Sequence, residues 1–130
     1  MYVLDTNTLI YFFKGQGRVA ERLFLKVPSE IAIPAIVVFE LQTGIAKSSS
    51  PRKRIKQLES LIEAVKVLPF SGKEARVSAT IRARLEEKGE PIGPHDVLIA
   101  GTALACQGTL VSHNLTEFKR VNGLKTEDWY

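Results

Sequence analysis

The stretch MYVLDTNTLIYFF (residues 1–13) opens the chain, and its reading decides the fold. Tyr2-Val3-Leu4 is a short apolar run of strand type, yet Asp5 follows at once, with Thr6, Asn7 and Thr8 behind it. A carboxylate beside a core strand is costly unless hydrogen bonds or an opposite charge compensate it. The segment therefore predicts a strand over 2–5 that ends at a chemically active edge.

Further strands are expected at EIAIP (30–34), KVLP (66–69), TLVS (109–112) and, more faintly, within GLKTEDW (123–129). The segments between them carry helical signals. Ser50-Pro51 reads as an N-cap followed by proline at the first helical position, and Ile55, Leu58, Ile62 and Val65 continue as an apolar stripe. SGKE (71–74) is a capping box that opens a helix striped by Val77, Ile81 and Leu85, with Gly89 as its terminator. After the breaker-rich loop GEPIGPHD, a helix runs from about His95 to Gln107. Such alternation predicts an α/β fold in a single domain, 1–130: a central parallel sheet of four to five strands with helices on both faces. In sheets of this kind ligands collect beyond the carboxyl ends of the strands. Asp5 and Asn114 both fall there.

Composition narrows the function classes. With 45% hydrophobic and 25% charged residues over 130 positions, the chain has the make-up of an ordinary globular domain. It shows no membrane span and no cleavable signal pattern, so a cytoplasmic protein without membrane contact is expected. The single cysteine, Cys106, excludes a disulfide framework and reads as a small core residue. A net charge of +4 is modest, but much of it is local, in KSSSPRKRIKQ (47–57). That patch suits a polyanion, an acidic partner or simply a solvated helix start.

Three acids stand in sequence that should be buried. Glu40 lies in the apolar helix PAIVVFELQTGIA, sharing a face with Val37, Leu41 and Gly44. An ion pair to Arg76 or Arg82 would account for it, as would membership of a site. Asp96 begins DVLIAGTALAC, where it either complements the helix N-terminus or borders the core as a site residue. If the acids converge, two carboxylates about 4–5 Å apart repel by about 3–4 kcal/mol at an effective dielectric near 20. Protonation, cationic partners or a metal would relieve this. Without a His or Cys cluster, an all-oxygen donor set favours Mg²⁺, with Mn²⁺ as a substitute. His95 and His113 read as surface or substrate-side residues.

VLDTNTLIYF, FELQTGIAKS and PIGPHDVLIAGTALACQGTLVSHNLTEFKRVNGLKTEDW, in that order, resemble the PIN-domain ribonucleases. More narrowly they resemble the VapC toxins of bacterial type II toxin–antitoxin systems. The resemblance spans nearly the whole chain, and IGPHDVLIA…GTLVSHNLTEFKRV is its most specific part.

It implies a PIN-like fold and a Mg²⁺-dependent endoribonuclease that cuts structured RNA, with tRNA as the expected substrate. Asp5, Glu40 and Asp96 match the family's metal-site acids. A fourth position, often aspartate, falls on Asn114, with Glu117 as the alternative. Thr6, Asn7 and Ser112 match polar positions around the acids. Lys14, Lys47, Arg52, Lys53 and Arg54 are candidates for tracking RNA phosphates. The resemblance also implies a VapB-type antitoxin whose tail docks near the acids, a homodimer, and a toxin–antitoxin hetero-oligomer.

Two rival readings have distinct signatures. An aspartyl-nucleophile phosphohydrolase opens D-x-D-x-T, whereas Asp5-Thr6-Asn7-Thr8-Leu9 has asparagine in place of the second acid and threonine one place early. A non-catalytic binding module would use the basic patch and keep the acids as structural groups.

Overall fold

A computed structural model describes all 130 residues. Five strands, β1 (Tyr2–Leu4), β2 (Ile31–Pro34), β3 (Lys66–Leu68), β4 (Thr109–Val111) and β5 (Lys125–Glu127), form one sheet in the order β3-β2-β1-β4-β5. Every neighbouring pair is parallel. The helices are α1 (Thr6–Lys14), α2 (Val19–Leu23), α3 (Ala35–Lys47), α4 (Arg52–Ala64), α5 (Gly72–Glu87), α6 (Pro94–Ala105) and α7 (Leu115–Phe118). The faint fifth strand is present.

Parallel strands are covered on both faces, so the inner ones are apolar throughout. Val3, Leu4, Ala32, Ile33, Leu110 and Val111 are completely buried. The edge strands β3 and β5 instead expose Lys66 and Lys125, charges that discourage further strand pairing. Trp129 and Phe118 are the largest fully buried side chains, and Trp129 packs against Tyr2 with ring centroids 5.3 Å apart.

The connections position the site. The chain steps from β1 to β2 to β3 in one direction, returns through α5 and α6 to β4, and continues outward to β5. Right-handed crossovers put the helices of the two halves on opposite faces. Connections leave β1 and β4 in opposite directions, so a crevice opens between their carboxyl ends. Asp5 and Ser112 sit at its mouth.

Local signals hold with small shifts. Glu74 reaches back to accept a hydrogen bond from the Ser71 N–H at 2.8 Å, completing the expected helix start. Gly89, with φ of 69°, follows the C-cap of α5 in the left-handed conformation that favours glycine. Pro51 is the N-cap of α4 rather than its first residue, because the helix begins at Arg52. Cys106 is exposed, not part of the core: α6 ends at Ala105, and the cysteine falls where the chain turns to the surface. Helices α5 and α6 meet backbone to backbone at Gly101, where a Cβ would lie 1.8 Å from Ser78 Oγ and 3.0 Å from Ser78 Cα. No helix is long and apolar enough to cross a membrane.

Candidate active site

Asp5 is the hinge between β1 and α1. Its N–H continues the sheet ladder to the Val111 carbonyl at 3.1 Å, and its Oδ1 accepts from the Thr8 N–H at 2.9 Å, capping α1. The strand can thus end on a charge because that charge satisfies an orphan amide of the next helix. Burial pushes the Asp5 carboxyl above its ordinary pKa; the neighbouring Ser112 and Thr8 side chains and the Thr8 amide partly counter this, and Glu40 adds to it.

Glu40 comes from α3 and is half-buried. Its Oε1 accepts from Thr6 Oγ1 at 2.6 Å, and its Oε2 lies 3.3 Å from His95 Nδ1. The expected arginine partner is absent. Arg82 pairs instead with Glu86, one turn along its own helix, at 2.9 Å. The sequence reading of His95 as a surface or substrate-side residue does not anticipate this link to Glu40, which joins positions 55 apart in the chain.

Asp96 lies in the first turn of α6 and makes no capping hydrogen bond there, the N-cap being Gly93. Gly93 packs closely under it: a Cβ at that position would meet Asp96 Oδ2 at 3.0 Å. The Asp96 carboxyl is pushed up to about 6, first by burial, then by Glu117, Asp5 and Glu40, with His95 opposing. Four carboxylates from β1–α1, α3, α6 and α7 therefore share one neighbourhood. No lysine or arginine pairs with any of them.

The question of the fourth position takes a specific form. The Asn114 side-chain amide donates to Glu117 Oε2 at 3.1 Å, while the Asn114 N–H donates to Ser112 Oγ at 2.9 Å. Glu117 is the charge that Asp96 feels most strongly. Asn114 and Glu117, the two candidates for that position, are thus held together by a hydrogen bond. Asn7 is exposed on the first turn of α1, with no hydrogen bond to the acids.

The four acids offer only carboxylate oxygens, a donor type that hard divalent cations favour. The acids are neighbours rather than a closed cage, since no three of the His, Cys, Asp and Glu side chains are drawn together into a ready-made coordination sphere.

A groove of about 630 Å³ runs from Glu40 between α1, α3 and α4 and is lined by Lys14, Lys53 and Arg54 together with Ser48 and Ser50. The Arg54 guanidinium lies over the Phe13 ring at 4.8 Å and donates to Gln57 Oε1 at 3.1 Å. Lys47 and Arg52 do not line the groove, so only part of the basic patch opens onto it beside Glu40.

The PIN-domain family model matches residues 2–124. The chain is 36% identical to the tRNA(fMet)-specific endonuclease VapC of Salmonella typhimurium, over 98% of this chain and 97% of that one. It is 37% identical to the ribonuclease VapC2 of Rickettsia felis, over 99% and 98%. This chain belongs to the VapC family of PIN-domain proteins.

The PIN fold also superposes on the crystal structure of a DNA-bound VapBC from Salmonella typhimurium with a TM-score of 0.92, at 36% identity and covering 99% of this chain and 98% of that one. In this PIN domain, then, the carboxyl-end crevice, the acids around it and the basic groove belong to a fold shared along essentially the whole chain. These VapC relatives are ribonucleases by name.

Proposed function

We propose that this VapC-family chain is a Mg²⁺-dependent endoribonuclease that cleaves structured RNA, with tRNA as its substrate class, and that a VapB-type antitoxin restrains it. The observation that carries this reading is the grouping of Asp5, Glu40, Asp96 and Glu117 without a single lysine or arginine partner. Carboxylates crowded in this way raise one another's proton affinity, and a divalent cation offsets the repulsion.

When bound, the metal supplies charge neutralisation at the scissile phosphate and a more acidic attacking water. Asp5 and Asp96 are its proposed principal holders, with Glu40 and Glu117 direct or through water. The chain's own part is orientation. Thr8 fixes Asp5, Thr6 and His95 fix Glu40, and Asn114 fixes Glu117. Ser112, completely buried, braces the turn beneath Asn114. Lys14, Lys53 and Arg54 lead the anionic backbone toward Glu40.

An apolar groove of about 500 Å³, lined by Phe12, Phe24, Leu61 and Val65 among others, adjoins the exposed Leu25 and Val27. It fits an amphipathic antitoxin helix laid in a groove. The deciding experiment is cleavage of an RNA pool by the purified chain in Mg²⁺, in EDTA and as Asp5→Asn. Cleavage confined to the parent in Mg²⁺ is expected; an Asp5→Asn variant as fast as the parent refutes the acid-site mechanism.

A further inference from the structure

We propose that the His113 ring is a stacking shelf for one nucleobase of the RNA beside the cut, which makes His113 a substrate-binding residue. This rests on the ribonuclease reading above. His113 follows Ser112 directly and stands two residues after Val111, whose carbonyl accepts from the Asp5 N–H. Its main chain therefore leaves the carboxyl end of β4, the strand that pairs with the segment ending in Asp5.

The ring is held on several sides although it is exposed. Its Nδ1 donates to Asp128 Oδ2 at 2.9 Å. One face stacks on Tyr130 with centroids 4.3 Å apart and planes at 22°. Tyr11 meets His113 edge-on at 5.8 Å and Tyr130 at 4.8 Å. Tyr130 is in turn backed by Gly17, where φ is 63° and a Cβ would stand 2.8 Å from the ring carbons. The Arg18 N–H anchors the Tyr130 main-chain oxygen at 2.7 Å, and Asp128 Oδ1 accepts from the Tyr130 N–H at 2.9 Å.

This column is not core: the His113 side chain keeps 45% of its surface exposed, while Trp129 and Phe118 fill the interior nearby. An aromatic ring fixed in solvent has already lost the rotamer freedom that binding would otherwise cost it. Beside a phosphodiester-cleaving site, the group that fits such a surface is an unpaired base, since every base has a π-face to stack.

The test uses the full chain in Mg²⁺ with an RNA oligonucleotide spanning its mapped cut site, intact or abasic at single positions near the cut. His113→Ala is expected to raise KM about 5- to 100-fold with little change in kcat. His113→Tyr should recover most of that loss. One abasic position should raise KM for the parent, and His113→Ala should add nothing further on that RNA. The abasic series on the unmutated chain stands even if His113→Ala fails to fold. A KM unaffected by every abasic position overturns the shelf, as does a His113→Ala variant with the parent's KM. In both cases a cleaving parent leaves the ribonuclease reading intact, whereas a parent that cleaves no RNA overturns both.

Discussion

Thr6 Oγ1 donates to Glu40 Oε1 at 2.6 Å, tying the first turn of α1 to the middle of α3 across 34 residues. Thr6 follows Asp5 directly, so one short segment both supplies an acid and aims a second. Hydrogen bonds to a charged group contribute about 1.5–3 kcal/mol. Thr6→Val, nearly the same in shape, is therefore expected to lower thermal stability modestly and to lower metal affinity and cleavage by about 10- to 100-fold. Isothermal titration with Mn²⁺ beside initial cleavage rates checks this; unaltered values for both would remove Thr6 from the site.

The dual role of Asp5 separates two substitutions. Asparagine retains a side-chain oxygen for the Thr8 amide, whereas alanine leaves that amide without its cap, at a cost of about 1 kcal/mol. Cleavage should fall to the metal-free level in both variants. Urea melts should rank Asp5→Ala below Asp5→Asn, and the reverse order would mean that the cap contributes nothing.

Crowded acids give stability a definite pH sign. Asp96 rises from 3.8 to about 6 on folding, so the folded chain holds this proton more tightly than the unfolded one. Its contribution to stability is fully present below 3.8 and is lost as pH rises through about 6. Without metal, Asp96→Asn should match the parent near the bottom of that window and exceed it at neutral pH. The gain is on the order of 1–2 kcal/mol once solvent screening at a half-exposed carboxyl is allowed for. Melts in EDTA across the window test this, and a gap that fails to widen with pH argues against convergence of the acids. Saturating Mg²⁺ should reverse the ranking at neutral pH.

The basic groove discriminates among neighbouring cations. Lys53→Glu and Arg54→Glu should raise KM and flatten its dependence on salt, each lost phosphate contact removing about 0.7 from the logarithmic slope. Arg52→Glu, which lies outside the groove, should do much less. Equal effects from all three would reduce the groove to a general field.

Helix contact at Gly101 makes a stability prediction independent of chemistry. Gly101→Ala should destabilise by about 1–3 kcal/mol or more, because its Cβ meets Ser78 backbone as well as side chain. Ser78 Oγ is buried without a hydrogen-bond partner, so Ser78→Ala should be neutral or slightly stabilising. Denaturant midpoints decide both.

Much of this was legible in the chain because the signals are local. Apolar triplets bounded by breakers located the strands, and the SGKE start and Gly89 stop of α5 follow from four-residue chemistry. Asp5, Glu40 and Asp96 stood out because charge in apolar sequence is itself a local anomaly. The Glu40–His95 and His113–Asp128 contacts depend on how helices and strand ends pack, which no short window encodes. The same holds for Lys53 and Arg54 lining the groove beside Glu40 while Arg52 does not: the phase of α4 against α1 decides it. Helices α2 and α7 are too short, at five and four residues, for periodicity to register. Cys106 was misplaced for a related reason: one residue beyond a buried helix, composition is unchanged but the environment is not.

The hinge at Asp5 also has an evolutionary side. Both aspartate codons become asparagine codons by a single transition, and asparagine is as good a helix cap. Under the acid-site mechanism proposed above, a gene for this chain thus lies one nucleotide from a copy expected to fold, to occupy the same surfaces and to cut nothing. A lineage burdened by the active form can silence it without producing a misfolded protein, and such a copy would keep competing for whatever binds the intact one.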